Sequence, residues 1–125
     1  MTVVYHELLP ESYLLILAPG GGDEFEAGLA HWLKCAQRSG KQAVWVDCSM
    51  LTSLSNEAAR LLWLSHYQLQ EKHALLVLVH VPDRVRRLLL EQELGPAPCM
   101  VPTLLDAARQ SNWQSHWQSN WHLLT

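Results

Sequence analysis

Asp47 and Cys48 close one apolar run, AVWVDCS, and His80 stands near the end of another, ALLVLVHV. A thiol at one strand end with an imidazole at a neighbouring one is the raw material for a nucleophile and its general base. Any alternating strand and helix domain offers such a pairing, however, and too few polar groups converge here to define a reaction. No catalytic residue is assigned. His31 and Cys35 lie one helical turn apart, but the remaining histidines and cysteines supply no third ligand at a recognisable spacing, so no metal is expected. The glycine run in APGGGDEF lacks the following Lys-Ser or Lys-Thr of a phosphate loop. It also puts Asp23 and Glu24 where a phosphate would sit, which makes it a turn rather than a cradle. Arg84, Arg86 and Arg87 share their segment with Glu91 and Glu93, the pattern of a solvated face.

The stretch SLSNEAARLL, Ser53 to Leu62, is different in kind. It follows AVWVD by a short loop and opens a helix, so unpaired amides and the positive end of the helix dipole converge on small polar side chains. Ser53, Ser55, Asn56, Glu57 and Arg60 are the groups such a helix mouth would present, together with Asp47 at the strand end. Ser53 and Ser55 are also natural N-caps, a role worth about 1 kcal/mol.

These residues sit in a chain of 125, enough for one domain with one core. Nine Lys and Arg against twelve Asp and Glu, net −3, leave no basic footprint for a nucleic-acid backbone. Three cysteines without a CxxC spacing suit a reducing, cytoplasmic setting better than a disulfide framework. The N-terminus has no basic lead, and YLLILA is far too short to cross a bilayer, so no membrane insertion is expected.

Hydrophobic periodicity supplies the elements that would position the helix mouth. Val3 to Leu9 and Tyr13 to Ala18 read as a hairpin whose second strand is buried on both faces. Phe25, Leu29, Trp32, Leu33 and Ala36 mark a helix that Asp23 and Glu26 would cap and Gly40 would stop. AVWVD is a strand, and Ala58, Leu61, Leu62, Ser65 and Leu69 define the next helix, running to about Lys72. Ala74 to Val81 is a strand, Pro82 to Gly95 a helix, Cys99 to Val101 a brief strand, and Thr103 starts a final helix. The order ββαβαβαβα predicts an α/β domain with a mixed, mostly parallel sheet covered by helices, the first strand being an antiparallel edge. We place this domain at residues 1–110.

Residues 111–125 form a tryptophan-rich extension, in which Trp113, Trp117 and Trp121 make one stripe that is costly to leave exposed. At 100° per residue the apolar face of the last helix centres on Leu104, Leu105, Ala107 and Ala108, nearly opposite that stripe. The tail is therefore expected either to fold back on its own domain after a break near Gln110 to Asn112 or, as the preferred reading, to meet a second copy in a homodimer.

From AVWVDCSMLTSLSNEAARLLWL through ALLVLVHVPDRVRRLLLEQELG to VPTLLDAA, the sequence resembles the STAS domain, the family of anti-sigma-factor antagonists and of cytoplasmic modules of sulfate transporters. The resemblance covers most of residues 12–109. It implies a domain in which a strand-end aspartate precedes a loop whose serine, at the mouth of the next helix, is phosphorylated by an anti-sigma-factor kinase. Asp47 matches that aspartate. Ser55 falls on the family's loop aspartate, Asn56 on the phosphorylatable serine and Ala58 on the glycine. The family's switch works because a phosphate adds about −1.5 to −2 charges to a contact surface, and the carboxamide of Asn56 cannot be phosphorylated. Ser55 is the nearest remaining candidate for phosphorylation. The expectation is a non-enzymatic regulatory module without a cofactor, binding a protein partner such as an anti-sigma-factor kinase through Asp47, Ser53, Ser55, Asn56, Glu57 and Arg60. The alternative is a small-ligand sensor, taking a nucleotide or lipid in an apolar cleft beside Asp47.

Overall fold

The computed structural model describes residues 3–9, 11–19 and 23–110. Its elements are β1 (Val3–Leu8), β2 (Ser12–Leu17), α1 (Asp23–Arg38), β3 (Ala43–Asp47), α2 (Asn56–Glu71), β4 (Leu75–Val79), α3 (Asp83–Glu91) and β5 (Cys99–Val101). A further helix, α4, occupies residues 104–110. The order is the one the sequence predicts. The strands lie as β1-β2-β3-β4-β5, with β1 antiparallel to β2 and each later pair parallel.

Side chains alternate across a strand, and the two faces of this sheet are covered unequally. Leu15, Leu17, Val44, Val46, Leu76 and Leu78 face α1, α2 and α3, which contribute Leu29, Leu33, Ala58, Leu62, Val85 and Leu89 to one core. Val77 and Val79 point the other way, where Leu104 and Ala107 of α4 cover them. Each fully buried leucine removes apolar surface worth about 1.5–3 kcal/mol from water. Leu62, without measurable exposure, is a central example.

Three boundaries depart from the periodic reading. His80, assigned to β4 by its apolar neighbours, takes the left-handed conformation at φ 54° and ends the strand at Val79. Pro82 is the N-cap of α3, with extended ψ, rather than its first helical residue. That helix stops at Glu91 instead of Gly95, because Glu93 (φ 51°) and Gly95 (φ 97°) turn the chain along α2. Gly40, at φ 74°, does lie just past the end of α1. Leu105, grouped by sequence with the apolar face of the last helix, is 61% exposed, since α4 covers the sheet with Leu104 and Ala107 alone.

Candidate functional site

The carboxyl end of β3, the loop after it and the mouth of α2 form one structural unit. Asp47 is buried, and its Oδ1 accepts a 2.9 Å hydrogen bond from the Ser49 amide. The Cys48 amide extends the ladder to the Val79 carbonyl at 2.9 Å, and the Leu51 amide closes a turn on the Cys48 carbonyl at 3.0 Å. Leu51 is buried and Leu54 packs against the main core, so the loop is pinned at both points. Asp47 thus lies beneath the surface, shaping the loop from inside.

At the helix mouth Ser55 is the N-cap, its Oγ accepting from the Ala58 amide at 3.1 Å. The same hydroxyl donates to Glu26 Oε1 on α1 at 2.6 Å. Both hydrogen-bonding roles of Ser55 are therefore engaged, and a phosphate on it would face the Glu26 carboxylate. Asn56 Oδ1 accepts from Gln92 Nε2 at 2.8 Å, which ties the first residue of α2 to the C-cap of α3. Ser53, Asn56, Glu57 and Arg60 are exposed, as is Met50 in the preceding loop. The result is a small polar surface of fixed conformation, carrying one acidic and one basic residue.

Further along α2, Trp63 Nε1 donates to the Gly95 carbonyl at 3.4 Å and Tyr67 Oη to the Leu94 carbonyl at 2.9 Å. Asn56, Trp63 and Tyr67 thus hold the chain leaving α3 against one flank of α2. Periodicity did not point to these residues, because Trp63 and Tyr67 act through backbone carbonyls about thirty positions away. His66, which the sequence left unassigned among scattered histidines, is buried with Nδ1 lacking a hydrogen-bond partner. Burial lowers its pKa.

The reactive pairing raised by the sequence does not form a catalytic couple. Cys48 is buried, and burial together with the Asp47 charge pushes its thiol up to about 12, so the thiolate is negligible at neutral pH. His80 is exposed and instead lines a cleft of about 430 Å³ with Asp83, Arg86, Val101 and Pro102. His31 and Cys35 approach to 3.7 Å on α1, and no cluster of three potential metal ligands occurs among the described residues. Two clefts among the described residues lie beside β5. Trp113, Trp117 and Trp121 lie outside the described residues.

No protein-family model and no curated protein matches this sequence. Solved structures do match its fold. A serine-to-glutamate variant of RsbS from Moorella thermoacetica superposes with a TM-score of 0.79 at 12% identity, over 90% of this chain and 97% of that one. The anti-sigma factor antagonist SpoIIAA, in its unphosphorylated form, gives a TM-score of 0.67 at 13% identity, over 85% and 94%. This is the STAS fold. Protein TM1081 of Thermotoga maritima shares it, with a TM-score of 0.76 at 13% identity over 86% and 93% of the two chains. Within the STAS fold described here, no helix among the described residues is long and apolar enough to cross a membrane.

Proposed function

We propose that this chain is a non-enzymatic, cytoplasmic regulatory module that binds a protein partner through the mouth of α2. Ser53, Asn56, Glu57 and Arg60 make the contact, while Asp47 and Ser55 hold its shape. The observation that carries the reading is the Ser55 cap with its bond to Glu26, beside an Asn56 tied to Gln92: a rigid, exposed polar surface without a reactive group. Asn56 stands where the resemblance puts the phosphorylatable serine, so the docking face keeps one charge state. The partner that the resemblance implies is an anti-sigma-factor kinase. Capture from native extract on the full chain, repeated with Arg60→Glu, tests the reading. A partner retained by the wild type and lost by the variant supports it; equal retention removes the α2 mouth as the contact.

A small-ligand role has one observation in its favour, the 430 Å³ cleft beside His80, which is within the size range of small-molecule sites. A nucleotide that raises the melting temperature in a concentration-dependent way would favour this second reading.

A further inference from the structure

Beside the end of β5 a groove of about 560 Å³ is lined by Val101 and Pro102 and by Asp106, Arg109 and Gln110 of α4. α4 gives the sheet only one side of itself, with Ala107 fully buried and Leu104 packed beside it. At 100° per residue, the sector turned away from the sheet holds Leu105, Arg109 and Asp106. Leu105 is 61% exposed there. Among the described residues β5 pairs with β4 alone, so its outer edge adjoins the same groove.

We propose that this face is a two-fold interface between two copies of the chain. A two-fold contact must be self-complementary, each residue meeting in the second copy the residue that meets it in return. Asp106 and Arg109 satisfy that condition. They carry opposite charges less than one turn apart on the outward sector, so two α4 helices crossing antiparallel bring each Asp106 to Arg109 of the second copy, twice over. Asp106 Oδ2 accepts from Thr103 Oγ1 at 2.7 Å, which leaves the other carboxylate oxygen for this contact. Arg109 is exposed. Leu105, Val101 and Pro102 supply the apolar ground between the charges.

The sequence beyond α4 adds to the argument. Fifteen residues follow Gln110, itself on the rim of the groove, and Trp113, Trp117 and Trp121 are among them. Tryptophans are frequent anchors of interfaces. The proposal is independent of the docking surface at α2, and either can fail without the other.

Sedimentation equilibrium on the full-length chain, wild type against Asp106→Arg, Arg109→Asp and the double reversal, tests it. The wild type is expected to be dimeric. Each single reversal sets like charges against each other twice and should weaken the dimer by about tenfold or more, while the double reversal restores it to within about threefold. Asp106 also bonds Thr103, so Arg109→Asp, whose side chain has no hydrogen bond among the described residues, carries the test if Asp106→Arg melts early. A wild-type monomer would overturn the proposal, the groove then being covered within its own chain. Single reversals that dimerise like the wild type, or a double reversal weaker than both, would overturn it equally.

Discussion

Gln92 Nε2 donates to Asn56 Oδ1 at 2.8 Å, joining the first residue of α2 to the C-cap of α3 across thirty-six positions of sequence. Asn56, which the resemblance sets at the phosphorylatable position, is thus also a structural tie. Incubation with ATP and an anti-sigma-factor kinase should leave residue 56 unmodified, since a carboxamide has no nucleophilic hydroxyl. Mass spectrometry reads the outcome, and phosphate on Ser55 would show that the switch has moved by one residue.

Ser55 should resist such a move. Ser55→Ala removes the cap and the bond to Glu26, and should cost about 1 kcal/mol in urea unfolding. Ser55→Asp, ordinarily an equivalent cap, puts a second carboxylate against Glu26 and should be less stable than Ser55→Asp combined with Glu26→Gln. Equal stability of the two would show that Glu26 is not the constraint.

The alternation of strands and helices was legible because β2, β3 and β4 are short apolar runs and the long helices have a clear 3.6-residue stripe. What the sequence concealed depends on contacts made far along the chain. The segment after α3 looked helical up to Gly95, but Tyr67 and Trp63 draw its carbonyls onto α2 and end the helix at Glu91. Leu105 fitted an apolar stripe that the sheet does not use. At the site, Ser55 as a cap could be read locally, whereas Glu26 and Gln92 as its surroundings required the fold.

The approach of Gly95 to Tyr67 gives a sharp stability prediction. A Cβ on residue 95 would lie 2.5 Å from Tyr67 Oη, at a backbone φ of 97° that side chains rarely adopt. Gly95→Ala should therefore cost more than about 1 kcal/mol, and Tyr67→Phe about 1 kcal/mol by loss of its bond to the Leu94 carbonyl. Combined, the two should cost less than their sum, because the phenylalanine clears the hydroxyl from the path of the new methyl. Additive unfolding energies would contradict this.

His66 makes stability depend on pH. Its pKa in the folded chain lies below the ordinary histidine value of about 6.5 because burial disfavours the charged ring. The unfolded chain takes up the proton first, so stability is lost as pH falls through about 6.5 toward the folded value and is unaffected above it. The difference between the wild type and His66→Leu in midpoint denaturant concentration should narrow or reverse toward acid. A difference constant from pH 8 to about pH 5 would show that His66 does not titrate on unfolding.

The most direct measurement of the central claim is calorimetric affinity of the captured protein partner for the wild type and for Asn56→Asp. The carboxylate can still accept from Gln92, and in the first turn of α2 it should favour folding by about 0.3–1 kcal/mol, so the variant remains folded. It does place a permanent negative charge beside Glu57 on the proposed docking face. Affinity should fall clearly for Asn56→Asp; an affinity equal to that of the wild type would remove the α2 mouth as the docking face.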